Sequence, residues 1–186
     1  MNVIDHAPER PLSPQDVLRM VEAGILRPDE PVELLKGRLL LVSPQGPPHA
    51  SVVGALAEAL RAAYGAGHAV REEKPLHLPD SLPEPDIAVV RGAQLDYVAR
   101  HPGGADAVLV VEVAVTSQAL DHDKARIYAR AAVPVLWLLD IPARRLEVHL
   151  EPQTDGRYRV VQILGDEDEV TPPGTGSRLA VRAFLG

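Results

Sequence analysis

The chain contains no cysteine, which excludes disulfides and thiolate metal sites and is compatible with a cytosolic setting. Its first residues, MNVIDHAPERPLSP, lack a basic-then-apolar leader, and no apolar run is long enough to span a bilayer. A soluble, cytoplasmic protein is therefore expected. Lysine is scarce, with Lys36, Lys74 and Lys124 against sixteen arginines, and Asn2 is the sole asparagine. Rich Ala, Leu, Pro and Arg usage fits a GC-rich genome. The net charge of −7 speaks against non-specific coating of nucleic acid but leaves room for a local basic cleft. No internal repeat, low-complexity tract or domain boundary breaks the sequence. Its 186 residues, 46% apolar, predict one domain over 1–186 with a sizeable core and a flexible stretch at 1–12.

The stretch that organises the rest runs from Ala107 to Leu139. AVLVVEVAV is an apolar, β-branched run interrupted by a single carboxylate, Glu112. A polar break at Thr116–Ser117 follows, then a helical pattern from about Ala119 to Ala132 carrying Lys124, then a second apolar run, PVLWLLD. Near-continuous Val/Leu runs suit strands covered on both faces, so the order reads as a buried βαβ unit. A lone carboxylate in such a strand costs several kcal/mol unless something pairs with it.

Earlier in the chain, Pro11 to Ile25 predicts a short helix with Ser13 as N-cap, Pro14 at the first helical position and Gly24 as its stop. VELLKGRLLLVS reads as two strands turning at Lys36–Gly37, with Glu33 in the first. Pro47 to Tyr64 repeats Val52, Val53, Leu56, Leu60 and Tyr64 at helical spacing, and GAG ends it. His49 sits near that helix start, where anions are favoured. AVREEKPLHL and DIAVV are strand candidates separated by LPDSLPEPD. Arg91 to Ala105 reads as a surface excursion with a helical turn around Leu95 and Val98. RRLEVHLE and RYRVVQIL flank Asp155–Gly156 as a hairpin, and the tail ends in a polar loop and a short strand.

Side chains alternate faces along a strand. Val108, Val110, Glu112 and Ala114 should thus share one face, and Asp86, Ala88 and Val90 another. If those faces coincide, Asp86 and Glu112 converge, and two carboxylates forced together raise each other's pKa unless a cation intervenes. With oxygen ligands only, Mg²⁺ or Mn²⁺ is the natural occupant. Lys124 shares a helix face with Ile127, Tyr128 and Ala131 and so points inward, within reach of a buried carboxylate. The competing reading makes Lys124–Glu112 a purely structural ion pair. His122, between Asp121 and Asp123, reads as part of a solvated face, and Asp166–Glu169 as an exposed turn without the glycine of a calcium loop. His6, His68, His77, His101 and His149 lack ligand spacing. His49 is either a helix-start polar residue or an anion contact.

Taken in order, VELLKGRLLLVSP, His49, the Pro85–Asp86 pair of EPDIAVV, VLVVEVAVTS, and Asp121 and Lys124 in LDHDKARIYARAAVPVLWLLD, followed by RRLEVHL, resemble the Uma family of restriction endonucleases within the PD-(D/E)XK nuclease-fold superfamily. The resemblance covers Val32 to Leu185. It implies an α/β fold with a restriction-endonuclease-like core, a central mixed β-sheet flanked by helices, plus an N-terminal helix and β-hairpins. Asp86 matches the first acid of the motif and Glu112 the second, the pair that would bind metal. Glu33 matches the acid of the family's N-terminal segment, and His49 its histidine after the first hairpin. The superfamily lysine two residues after the second acid is replaced by Ala114, and in this family a lysine from the following helix substitutes, here Lys124. Where the family has VEV-Ser-x-Ser, AVTS keeps only part of that pattern.

The expectation is a Mg²⁺- or Mn²⁺-dependent endonuclease hydrolysing phosphodiester bonds in DNA. Its catalytic set is Asp86, Glu112, Lys124, Glu33 and His49, its metal ligands Asp86 and Glu112 aided by the Val113 carbonyl. Arg71, Arg126 and Arg130 are candidate contacts to backbone phosphates. Weak, salt-dependent DNA binding and a homodimer across an open sheet edge would follow. The alternative is a non-catalytic binding or scaffold protein that keeps the fold.

Overall fold

The computed structural model of the chain describes residues 9–42, 45–115 and 119–185, the side chains of Ala119 and Asp121 excepted. Ser43–Pro44, Thr116–Ser117 and the side chain of Asp121, all named in the motifs above, lie outside the described residues.

Helix α1 (Pro14–Glu22) starts with a reciprocal cap: Ser13 Oγ accepts from the Asp16 N–H, and the Asp16 carboxylate accepts from the Ser13 N–H. Its start, with Ser13 as N-cap and Pro14 first in the helix, is the one expected, and just before it the Leu12 N–H donates to the Gly37 carbonyl at 2.9 Å. Strands β1 (Val32–Leu35) and β2 (Arg38–Leu41) form the expected hairpin. Lys36 (φ 50°) and Gly37 (φ 75°) both take the left-handed conformation that a two-residue turn between twisted strands requires. A bridge from Leu34 to Leu82 fastens this hairpin to the segment leading into Asp86.

Helix α2 (Pro47–Tyr64) has the predicted bounds and buries Val52, Val53, Leu56 and Leu60. Six strands follow: β3 (His68–Glu72), β4 (Ile87–Arg91), β5 (Ala107–Ala114), β6 (Val135–Asp140), β7 (Arg145–Pro152) and β8 (Tyr158–Leu164). They lie in sequential order in one mixed sheet, in which β5 and β6 are parallel and every other neighbouring pair is antiparallel. The parallel pair is joined by helix α3 (Ala119–Arg130), which is the βαβ unit read from the sequence. Strand β3 is shorter than AVREEKPLHL promised. Glu73 turns to φ 48° and Pro75 cannot donate to a ladder, so residues 73–86 leave the sheet as a loop. A two-stranded β9 (Glu169–Val170) and β10 (Leu179–Ala180) and a 3₁₀ turn over Val181–Phe184 complete the tail.

One sheet face, including Ile87, Val89, Leu109, Val111 and Trp137, packs against α2. The other, including Ala88, Val90, Val110, Leu136 and Leu138, packs against Ala125, Ile127 and Tyr128 of α3. One expectation needs correction here. Val108 does not share a face with Val110 and Glu112. The β4–β5 register shifts so that Val89 pairs with Leu109 but Val90 with Ala107, and the extra residue turns Val108 to the α2 side. Beyond the bulge the alternation is regular. Ile87 pairs with Val111, so the next step along the ladder sets Asp86 opposite Glu112.

Candidate active site

Five polar side chains predicted from the sequence meet at the end of this β4–β5 pair, all shielded from solvent: Glu33, His49, Asp86, Glu112 and Lys124. Each arrives on a different element. Asp86 closes the loop into β4, Glu112 lies on β5, and Glu33 is delivered by β1. His49 comes from the first turn of α2, and Lys124 from the inward face of α3.

Lys124 Nζ stands between two acids. It lies 3.1 Å from both carboxylate oxygens of Glu33, donating a hydrogen bond to Oε1, and 3.3 Å from Glu112 Oε1. Glu33 Oε2, though equally near the ammonium, is buried without an aligned donor. Glu112 Oε1 also accepts from the Tyr128 hydroxyl at 2.5 Å. Tyr128 is one helical turn beyond Lys124, so α3 supplies both groups that fix this carboxylate. Asp86 is held from three sides. The Val113 N–H donates to Oδ2 at 2.6 Å, Gln45 Nε2 donates to Oδ1 at 2.9 Å, and His49 Nε2 lies 3.2 Å from Oδ2. Because Val113 follows Glu112, that short backbone bond ties the two acids into one unit.

Three buried acids share one lysine, and burial and mutual charge shift several of these groups from their ordinary pKa values. Burial pushes Glu112 up to about 8 despite the pull of Lys124, with Asp86 and Glu33 adding to the rise. Burial raises Glu33 too, again against Lys124. For Lys124, burial works against the charge, but Glu112 and Glu33 more than offset it and hold the ammonium above its ordinary range. Burial likewise opposes a charged His49, yet the hydrogen bond and charge of Asp86 outweigh it and leave the imidazole raised. The ammonium is thus firmly charged while Glu112 is slow to ionise.

This has a consequence for stability. A group whose folded pKa is raised contributes stability that is fully present below its unfolded pKa and lost as pH rises through its folded one. For Glu112 that window runs from 4.5 to about 8, and Glu33 and His49 act in the same direction. Lys124, raised from 10.5, titrates above it. In metal-free buffer the melting temperature should fall across this window, and Glu112→Gln should flatten the decline. Melting curves over that pH range check it; an equal slope in the variant would contradict the assignment.

The donor set is compatible with a hard divalent cation. Asp86, Glu112 and the Val113 carbonyl offer oxygen only, as Mg²⁺ and Mn²⁺ prefer. The excess of buried negative charge and the orphaned Glu33 oxygen are what such a cation would relieve. Among the described residues no three His, Asp or Glu side chains are already gathered around one cation position. Of the side chains that hold Asp86, Gln45 belongs to an exposed residue and His49 to a buried one.

Tyr128 and Gln45 were not singled out from the sequence. Tyr128 carried a signal, since it shares the inward face of Lys124. Gln45, in the turn before α2, carried none. Arg71, expected among the phosphate contacts, is instead buried on β3 beneath Tyr97, because its strand position points it under the 93–106 excursion. Arg126 and Arg130 do lie exposed on α3. His122 is exposed, as expected of a solvated face.

Comparison with known proteins agrees with this architecture. No curated protein matches the chain. A crystal structure of a protein from Anabaena variabilis ATCC 29413, described as a putative nuclease belonging to DUF820, superposes with a TM-score of 0.73 at 15% identity. The match covers 94% of this chain and 98% of that one, a likeness of fold. The model of the Uma2 family, described as "Putative restriction endonuclease", matches residues 14–182, so α1, the hairpin, the six-stranded sheet and the acid–lysine cluster all fall inside it, and the chain belongs to that family.

Proposed function

We propose that the chain is a divalent-metal-dependent endonuclease that hydrolyses phosphodiester bonds in DNA. The observation that carries this reading is the buried convergence of Asp86, Glu112 and Lys124, in which acids outnumber the only lysine. Asp86 and Glu112, with the Val113 carbonyl, would hold Mg²⁺ or Mn²⁺. The bound ion would polarise the scissile phosphate and lower the pKa of a water.

The remaining steps belong to the chain's own groups. Lys124 Nζ would orient the attacking water or stabilise the negative charge growing on the phosphate oxygens. Tyr128 fixes the carboxylate of Glu112, and Glu33 fixes the ammonium of Lys124. His49 positions Asp86 and can carry a proton at Nε2. Arg126 and Arg130, on the outer side of the same helix, would take up backbone phosphates, which positions DNA without reading its sequence. With a net charge of −7, affinity should be weak and fall steeply with salt.

The non-catalytic alternative has one observation in its favour: Lys124 is already fully engaged by Glu33 and Glu112, as a structural ion pair would be. Incubation with supercoiled and single-stranded DNA, in Mg²⁺ or Mn²⁺ against EDTA, separates the two. Cleavage that depends on added metal is expected. Intact DNA under every metal condition, with no upward shift of melting temperature by Mn²⁺, would favour the scaffold.

A further inference from the structure

The six-stranded sheet ends in two edge strands, β3 and β8, and only one of them is protected. Strand β3 carries Arg71 and Glu72, the latter paired with Arg61, and ends where the left-handed Glu73 and then Pro75 turn the chain away. Charges, a proline and an early turn are what keep an edge from accepting another strand. Strand β8 has none of them from Val160 to Leu164. Those residues, VVQIL, include no charge, no proline and no glycine.

The β8 edge is also open. Its strand pairs with β7 alone, and among the described residues the backbone groups of Val160–Leu164 make no hydrogen bond to any further segment. Val161 pairs with His149 and Ile163 with Glu147, yet the two apolar side chains are 48% and 63% exposed. On the other face Val160 and Leu164 are half-buried, Leu164 against the cluster that includes Val170 and Val181. A row of unmet backbone groups flanked by exposed β-branched side chains is a template for one more strand.

We propose that β8 pairs antiparallel with β8 of a second copy of this chain, giving a two-fold dimer in which the two sheets run together. The strand matches itself in one register. Centred on Gln162, the pair sets Val161 opposite Ile163 and Val160 opposite Leu164, each twice. The two Gln162 amides then face one another, and each can both donate and accept. Arg159 falls opposite Gly165, which has no side chain to obstruct it. Faces are preserved only by slipping the centre to Val161 or Ile163. The first sets Arg159 against Ile163 and Val160 against Gln162; the second sets Gln162 against Leu164. A two-fold contact needs a surface complementary to itself, and the Gln162 register supplies one, which makes a second copy rather than a foreign strand the occupant. One strand pair is a small interface, so monomer and dimer should exchange in the micromolar range. None of these residues belongs to the acid cluster, so the inference stands independently of the nuclease reading.

Because the chain has no cysteine, the register can be tested with a single introduced thiol. In Gln162→Cys the two thiols would sit on residues about 4.5–5.5 Å apart at Cα, as in any antiparallel pair, which a disulfide can span. Mild oxidation of the full chain should convert most of this variant into a covalent dimer. Thr154→Cys, also exposed but in the turn before β8, should stay monomeric. Sedimentation velocity over a dilution series of the unaltered chain should show a reversible monomer–dimer equilibrium. Ile163→Lys should weaken that equilibrium about tenfold or more by placing like charges at the edge, with an unchanged melting transition at low protein concentration. A chain that stays monomeric at hundreds of micromolar, a dimer that Ile163→Lys leaves intact, or cross-linking of Gln162→Cys no greater than that of Thr154→Cys would overturn the proposal.

Discussion

Lys124→Ala should produce the largest combined effect on stability and cleavage. Among the described residues the ammonium is the only cation between Glu33 and Glu112, both buried. Removing one partner of a buried pair leaves uncompensated charge and costs about 3–5 kcal/mol. In a chain of this length that corresponds to a loss of roughly 6–20 °C in melting temperature. The loss should be greatest at alkaline pH, where both acids must ionise, and smaller near pH 5, where they can keep protons. Cleavage, measured below the variant's transition, should fall by about 100- to 1,000-fold, the typical worth of one charge-stabilising group. The two effects are separable. Adding Glu33→Gln to Lys124→Ala removes one of the stranded charges and should recover part of the stability without recovering cleavage. Full cleavage by a well-folded Lys124→Ala protein would rule out a catalytic role.

Asp86→Asn should have the opposite balance, with a small structural cost and a large chemical one. Asparagine keeps an oxygen for the Val113 N–H but loses the charge that faces His49 and that the proposed metal would use. The loss of that charge should lower cleavage by at least about 100-fold, since the electrostatic stabilisation it supports is worth several kcal/mol. His49, raised by its bond to Asp86, should return toward its ordinary pKa. The stability that the imidazole contributes below its unfolded pKa would then disappear from the low-pH side of the profile. Cleavage and melting measured on the same preparation test both statements; a variant that loses its fold in proportion to its activity would contradict them.

Much of this site was legible in the sequence because it rests on periodicities. The period of two along β5 and β4 allowed Glu112 to share a face with Asp86, and the helical spacing of Lys124, Ile127 and Tyr128 turned Lys124 inward. Alternation failed at Val108, where a bulge inserts one residue, and nothing in AVLVV marks which valine is extra. AVREEKPLHL read as one strand because its apolar residues continue past Glu72. Pro75 was the available warning, and the left-handed Glu73 was not foreseeable from a side chain that rarely adopts it. Gln45 was invisible because its role depends on how the turn before α2 folds over Asp86, a tertiary fact with no local pattern. Arg71 was misplaced for a related reason. Its strand position was correct, but which segment covers that stretch of sheet depends on the route of residues 93–106, and a loop's route leaves no periodic trace.

Calorimetric titration of Mn²⁺ into the metal-free protein near pH 7, alongside an Asp86→Asn, Glu112→Gln double variant, tests the metal centre most directly. A centre built on these two acids predicts saturable binding in the wild type. It also predicts a heat that changes with the ionisation enthalpy of the buffer, because loading must expel the proton that burial retains on Glu112. Both signals should vanish in the double variant. Identical titrations for the two proteins would contradict a metal site at Asp86 and Glu112.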